Sequence, residues 1–452
     1  MNVRELNRVY FIGVGGIGMS AIARFFNEQG ATVKGYDKTP TDLTRALLKE
    51  GVDVHYTDDV SLVDKEAQLV VYTPAIPADH KELNWYRDNG YQVFKRSDVL
   101  QWITEALFSV TVAGTHGKTT ISTMIAYLLR EAGFGCNAFL GGVSVNYDSN
   151  YWSSSNQVAV IEADEYDRSF LKLHPNVAVL SSMDPDHLDI YGTVEEMEEA
   201  FIQYTKNIKL GGTLLVKHGL KRMEDFQGSD VVTYSLQNDA ADAYAVNLVQ
   251  RKGGYVFDVV TKYGSIQGIH LNVGGMHNVE NAVAAITVAL RLETDALQIQ
   301  QVISGFKGVR RRFEYVLKTD DIVLIDDYAH HPAELSSLIS SAKRLFPDRK
   351  CVVAFQPHLF TRTRDLAEGF AHSLDMADEV ILLDIYPARE LPIDGISSQL
   401  IADKMGNPNH TLLSKQGLLE YARSAPLDLL VTAGAGDIDK LVPELKEILE
   451  SR

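Results

Sequence analysis

Two stretches of this 452-residue chain carry residues in an order that can hold phosphate. In "AGTHGKTT" (113–120) an apolar strand runs into Gly114, Thr115, His116 and Gly117, and Lys118, Thr119 and Thr120 open a helix. Such a turn offers backbone N–H groups and a helix N-terminus to phosphate oxygens; the lysine adds charge, and the Thr119 hydroxyl can hold Mg²⁺. The Gly-x-x-Gly-Lys-Thr spacing is tighter than the common Gly-x-x-x-x-Gly-Lys, but strand and helix flank it as the chemistry requires. The other stretch, "VYFIGVGGIGMSAI" (9–22), places Gly13, Gly15 and Gly18 between a strand and a helix, with Gly16, Ile17 and Met19 in the same turn. Asp37 follows near the distance at which dinucleotide folds put a ribose-binding acid. A helix N-terminus accepts any pyrophosphate, so the residues alone leave a nicotinamide dinucleotide and another diphosphate both open.

Acids and histidines gather after other apolar runs. "EADEYD" (162–167) and "DPDHLD" (184–189) each end a strand-like segment, where carboxylates and an imidazole suit hard Mg²⁺; Glu165 and His187 are the preferred ligands. His277 and Asn281 in "GMHNVENA" stand four apart on one helical face and could read a base edge or hold a loop. "RRRFE" (310–314) reads as a phosphate clamp or a solvated linker, since the arginine fork grips phosphate bidentately. "DDYAHHPAEL" brings Asp327, Tyr328, His330 and His331, and "QPHLFTRTRDL" brings His358, Arg362 and Arg364; an arginine at a strand's polar end is a receptor for a small carboxylate. A zinc site from His330, His331 and His358 lacks tight ligand spacing.

These residues need strands to end where they stand. Short apolar runs alternate with helical stretches from residue 8 to about 106, the mark of a small parallel, doubly wound sheet. "FSVTVAGT" restarts the pattern at 108, and from about 230 to 273 the texture becomes that of antiparallel hairpins, read as a β insertion. A helix begins near Asn278, and a third α/β unit follows "GVRRRFEYV". The expected domains are 1–107, 108–314 and 315–452.

Composition narrows the function. The chain has 43 Lys plus Arg against 60 Asp plus Glu, a formal charge of −17, which repels an extended polyanion; nucleic acid is not an expected partner. Two cysteines without a CxxC pair exclude a disulfide framework. The N-terminus reads as strand and turn rather than signal peptide, and no apolar run reaches the roughly 20 residues of a membrane span, so the cytoplasm is the expected compartment.

Ten motifs in order, "GVGGIGMS", "GTHGKTT", "EADEYDRSFL", "DPDHLD", "GMHNVENA", "RRRFE", "DDYAHHP", "QPHLFTRTRD", "YPARELPIDG" and "TAGAGDI", resemble those of the Mur ligase family across essentially the whole chain. The resemblance implies three domains: a Rossmann-like N-terminal domain, a central P-loop ATPase-like domain with the β insertion, and a C-terminal Rossmann-like α/β domain. It implies an ATP-dependent ligase of peptidoglycan precursor synthesis, and so of cell-wall biogenesis, cell shape and cell division, nearest the branch that joins L-alanine to the lactyl carboxylate of UDP-N-acetylmuramate through an acyl phosphate.

On this resemblance Gly114, Thr115, Gly117, Lys118, Thr119 and Thr120 cradle ATP, His277 and Asn281 contact adenine, and Arg312 and Asp327 complete the nucleotide site. Thr119 and Glu165 hold one Mg²⁺ and His187 a second, and His116 faces the substrate carboxylate. Tyr328, His330, His358 and Arg362 surround the amino acid. Gly13, Gly15, Gly16, Ile17, Gly18, Met19, Asp37, Thr73 and Arg96 take the UDP-sugar. Three departures stand out: "YGTVEEMEEAFIQY" has no metal-bridging lysine, as in the L-alanine branch; Leu359 replaces a second basic residue; and Tyr166 replaces a serine, as in the related ligase that recycles a tripeptide.

Overall fold

In the computed structural model the described residues are Val3, 5–388 and 390–452; Arg389 of "YPARELPIDG" therefore lies outside the described residues. Chain contacts group into two units, one of Met1–Val246, Asp258–Gln267 and Glu280–Ile303, the other of Asn247–Phe257, Gly268–Val279 and Ser304–Arg452.

The first unit holds a five-stranded parallel sheet in the order Asp53–His55, Thr32–Tyr36, Arg8–Ile12, Leu69–Tyr72, Val93–Lys95. Its near-continuous apolar strands require cover on both faces, as a parallel sheet does. Strand Arg8–Ile12 is central, so the turn after it opens at the sheet's carboxyl edge, where open α/β sheets take ligands. Helix Ile17–Glu28 leaves that turn and buries Met19, Ala21, Ile22, Phe25 and Phe26.

The second sheet has a parallel centre ordered Asp230–Tyr234, Thr213–Lys217, Val177–Leu180, Phe108–Ala113, Val158–Glu162, Asn137–Ser144, and Ser149–Trp152 closes one edge antiparallel. Strand Asp230–Tyr234 corrects the extent of the β insertion, because it joins the parallel ladder. The insertion proper is Ala243–Arg251, Gly254–Thr261 and Gly264–Leu271, separated by two-residue connections that only antiparallel pairs allow. One buried apolar cluster runs from Val9, Phe11 and Phe25 on the first sheet's side through Phe139, Tyr151 and Ile161 to Phe201 and Leu214. The two sheets of this unit share that core.

The second unit carries a six-stranded sheet ordered Glu314–Lys318, Val323–Asp327, Leu429–Ala433, Cys351–Phe355, Glu379–Leu382, His410–Leu412, parallel except at its first strand. The architecture is α/β throughout, with three sheets. Helix Met276–Arg291 begins two residues before the sequence pattern places it. Among the described residues no helix is long and apolar enough to cross a membrane.

Candidate active site

Strand Phe108–Ala113 delivers the chain to the second glycine turn, and helix Lys118–Glu131 leaves it. Gly117 precedes the helix at φ +82°, a left-handed conformation that a side chain disfavours. Two serines just past the end of strand Val177–Leu180 brace the turn: Ser182 Oγ accepts from His116 N–H at 2.7 Å and lies 2.9 Å from Thr115 Oγ1, and Ser181 Oγ donates to the His116 carbonyl. Neither serine stood out in the sequence; their position after an apolar strand beside "DPDHLD" was the available signal.

Lys118 folds back over the turn. Its Nζ donates to the Gly114 carbonyl at 2.7 Å and pairs with Glu165 Oε1 at 2.8 Å. Glu165 is 1% exposed, and its Oε2 is buried with no hydrogen-bond partner. Burial pushes its pKa up while the Lys118 charge pulls it back. An unpaired buried carboxylate oxygen costs stability unless a ligand satisfies it, so a hard cation at this atom fits the site. His187, at φ +51°, brings Nε2 to 4.0 Å from Glu165 Oε1, and Tyr166 sets its ring edge-on against the imidazole at 5.3 Å. Glu162 belongs here as well. It ends strand Val158–Glu162, accepts the Gly141 N–H at 3.0 Å and bonds the Thr119 side chain; enclosure raises its pKa, and Lys118 opposes the rise. The sequence pattern of "EADEYD" points to Glu165 as the preferred ligand, whereas Glu162 is the acid that directly ends the apolar run. His116 pairs loosely with Asp184, at 3.6 Å in the open. Asn281 approaches Gly117 closely enough to crowd any side chain there.

The first glycine turn is built differently. Gly16 caps helix Ile17–Glu28 without a side-chain bond, which leaves its first-turn N–H groups without intrahelical partners. Asp37 accepts the Gly15 N–H at 2.7 Å and the Thr39 N–H at 3.2 Å, so its carboxylate is turned onto the turn itself. Thr73 packs on Gly13. The Arg96 guanidinium occupies the space beside Gly18 that a side chain would otherwise fill, and it pairs with Asp164 at 3.4 Å. Beside the first turn lies a cavity of about 160 Å³ whose charged lining is Arg96 on one side and Glu162 and Asp164 on the other, with Ile17, Leu100, Phe139 and Ile161 as its apolar walls. Charged groups of both signs thus face one space.

The remaining candidates are gathered in the second unit. Asp327 ends strand Val323–Asp327 and accepts the Phe313 and Ala329 N–H groups at 2.6 and 2.7 Å; burial pushes its pKa to about 6 against those bonds and Arg312. Arg311 and Arg312 both lie over the Tyr328 ring, at 4.9 and 5.7 Å. Arg311 is also tied to Asp326, Asp439 and the Gly434 carbonyl, which leaves Arg312 as the arginine beside Asp327 and His277. Crowding by the protein around the His277 ring, then the Arg312 charge, push its pKa down to about 4. His330 Nδ1 lies 2.9 Å from the Tyr328 carbonyl, and its ring faces that of His358 at 6.3 Å. Arg362 Nη1 is 3.4 Å from His358 Nδ1, and burial lowers the pKa of both histidines. Leu359 precedes helix Phe360–Leu374 at φ +69° and contributes no charge. His331 is drawn away from His330 and His358 into a capping box with Glu334.

A lysine-bearing turn with buried carboxylates, a second anion-ready turn beside a cavity with charged groups of both signs, and an arginine–histidine cluster on a further α/β sheet are the features of a multi-sheet α/β enzyme. Three family profiles cover the chain: the Mur ligase family catalytic domain over residues 8–107, the Mur ligase middle domain over 112–289, and the Mur ligase glutamate ligase domain over 311–436. The chain belongs to the Mur ligase family. It is 48% identical to the UDP-N-acetylmuramate–L-alanine ligase of Porphyromonas gingivalis, over 99% of this chain and 100% of the relative. The enzyme of the same name from Flavobacterium johnsoniae is 45% identical over 99% of each. Among solved structures, the UDP-N-acetylmuramate–alanine ligase of Thermotoga maritima superposes with a TM-score of 0.82 at 27% identity, covering 98% of this chain and 99% of that one. A murein peptide ligase from Psychrobacter arcticus shares the fold, with a TM-score of 0.67 at 22% identity over 98% and 99%.

Proposed function

We propose that this chain is an ATP-dependent ligase that joins L-alanine to the lactyl carboxylate of UDP-N-acetylmuramate, a step of peptidoglycan precursor synthesis. The observation that carries this reading is the end-to-end identity of 48% to a ligase of that name. The wider gap in TM-score and identity to the murein peptide ligase favours it over a tripeptide-adding activity. Asp37, turned onto the Gly15 N–H rather than outward, also argues against a nicotinamide dinucleotide whose ribose needs a free acid.

In this reading residues 1–107 take the UDP-sugar, 108–314 the ATP and 315–452 the amino acid. The turn at Gly13, Gly15, Gly16, Ile17, Gly18 and Met19, with Thr73 and Arg96, holds the diphosphate, and Asp37 keeps the turn in shape. The loop from Gly114 to Thr120 cradles ATP phosphates, and Lys118 offsets charge that builds on the transferred phosphoryl group. Thr119, Glu165 and His187, joined by Glu162, are the residues to hold two Mg²⁺ ions, which supply charge neutralisation at the phosphates. His277, Asn281, Arg312 and Asp327 complete the nucleotide site. The lactyl carboxylate attacks the γ-phosphate, giving an acyl phosphate and ADP; the alanine amine then attacks the acyl carbon and phosphate leaves. His116 faces that carboxylate. Arg362 pairs with the alanine carboxylate, and Tyr328, His330 and His358 enclose its amine, where a neutral imidazole can accept the proton that the amine loses as it attacks.

The test is phosphate release by the purified chain with UDP-N-acetylmuramate, ATP and Mg²⁺, compared across L-alanine, glycine, L-serine and L-Ala-γ-D-Glu-meso-diaminopimelate. Release that depends on L-alanine is the expected result. Preference for the tripeptide would reject the assignment.

A further inference from the structure

The turn at residues 13–18 and the loop at 114–120 belong to different sheets, yet in-line attack needs the groups they hold to meet within a fraction of an ångström. The alternation pattern puts a domain boundary near 107 and the family resemblance implies a hinge there, which would leave that separation loose. One buried side chain bridges the joint in a single register. Asn150, on strand Ser149–Trp152 of the second sheet, is 0% exposed, and both polar atoms of its side chain bond to helix Ile17–Glu28. These side-chain bonds span the first two turns of the helix: Nδ2 donates to the Ile17 carbonyl at 2.5 Å and to Ser20 Oγ at 3.1 Å, while Oδ1 accepts from Arg24. Arg24 is 5% exposed and is held on its other side by Glu50, with Nε to Oε2 at 2.7 Å.

Farther along the helix Phe25 packs against Phe139 and Tyr151 of the same hairpin, at 5.4 and 6.5 Å between ring centroids. A separate seam forms where Lys172 pairs with Asp98 at 2.5 Å and Lys209 donates to the Thr104 carbonyl at 2.6 Å. The aromatic contact supplies adhesion, which is non-directional. Asn150 supplies direction, because its donors and acceptor fit one register of the helix and are buried, where an unmade bond is costly.

We propose that Asn150, acting with Arg24, is a positioning residue of the ligase reaction: it locks the helix behind the diphosphate turn to the ATP-binding sheet, so that the two phosphate sites form one rigid body. The proposal rests on the ligase reading above. It predicts that loss of the lock separates binding from turnover, since each site stays intact while their spacing loosens, and a misplacement of about 1 Å costs on the order of a hundredfold in rate.

The experiment compares Asn150→Ala and Asn150→Asp in the full chain. Asp keeps an acceptor for Arg24 but loses both donors to the helix. Expected for both are dissociation constants for UDP-N-acetylmuramate and ATP within about threefold of the parent, with kcat for L-alanine-dependent phosphate release down about tenfold or more. A merely structural role would lower the melting temperature and leave kcat per folded molecule untouched; a folded variant with unchanged kcat overturns the proposal.

A second measurement needs no change at Asn150. Spin labels on cysteines at the exposed positions Lys49 and Glu195, one beside each sheet, avoid the buried Cys136 and Cys351. One narrow label distance, the same with and without UDP-N-acetylmuramate and a non-hydrolysable ATP analogue, supports the lock; a broad distribution or a ligand-induced shift overturns it. A parent chain that releases no phosphate would reject the ligase reading instead, while the label distance in the free protein still tests the lock.

Discussion

The two glycine turns share a backbone design and differ in everything that reaches them from elsewhere. Each follows a central parallel strand and feeds a helix, so each presents unpaired N–H groups to an anion. At the second turn a cation stands on the helix itself, Lys118, and two acids from the neighbouring strand end, Glu162 and Glu165, stand beside it. At the first turn the helix brings no cation; Arg96 reaches in from another helix, and the acid, Asp37, is bound to the turn's own backbone. A transferable phosphoryl group needs charge that responds to its reaction, whereas a diphosphate that is only held needs a fixed cradle. The difference separates a reacting site from an anchoring one, and substitutions at each turn test it.

The largest expected effect is at Lys118. Lys118→Ala should lower L-alanine-dependent phosphate release by about a thousandfold or more, with UDP-N-acetylmuramate affinity by calorimetry little changed, since loss of one preorganised charge costs about 10²–10³ in kcat and here also frees the buried Glu165. Normal turnover would remove Lys118 from the reacting site. Glu165→Gln should follow at about a hundredfold in kcat, with a raised Mg²⁺ requirement in the same assay. Arg362→Ala, outside both turns, should raise the KM for alanine by about ten- to a hundredfold, the worth of one charge-assisted pair, and leave ATP dependence alone. Asp37→Ala should change kcat little and weaken UDP-N-acetylmuramate binding only several-fold, with a stability loss of about 1 kcal/mol from the unpaired Gly15 N–H, read by chemical denaturation. A collapse of kcat there would make the first turn more than an anchor.

The smallest effect on turnover concerns Glu82, buried beneath the first sheet and bonded by the Tyr10 hydroxyl at 2.8 Å. Burial raises its pKa from 4.5 to about 7. The folded state then holds a proton that the unfolded chain releases, so stability should fall as pH rises from about 4.5 to 7 and level off above. Glu82→Gln should flatten that slope, a difference on the order of 1–3 kcal/mol in denaturation free energy at pH 8, with activity unchanged. An identical slope in the variant would reject the shift.

Much of the site was legible because its residues sit at strand ends, where apolar periodicity stops and polar residues begin. Lys118, Thr119, Glu165 and His187 are readable this way, and the structure brings them within reach of one another. Glu162 was harder, since a carboxylate that closes an apolar strand looks like an ordinary strand end until Thr119 is seen beside it. Ser181 and Ser182 are common residues, and their role depends on a neighbouring strand 65 or more residues away in sequence. Among the three arginines of "RRRFE" spacing could not choose; Arg311, at φ +59°, turns toward Asp326 and Asp439, which leaves Arg312 beside Asp327. The strand at 230–234 looked like hairpin because it alternates exposed and buried residues and borders the antiparallel insertion, although it pairs in parallel with Thr213–Lys217.

The sequence by itself determined the alternation of strands and helices, the two anion-binding turns, the acids and histidines at strand ends and the family to which they belong, because each depends on local spacing along the chain. Only the tertiary structure decided which partner each group meets: Asp37 bound to Gly15, Arg96 filling the space beside Gly18, and Asn150 locking one sheet's helix to the next. Those pairings join residues distant in sequence through burial and hydrogen-bond geometry, and nothing in the local pattern encodes them.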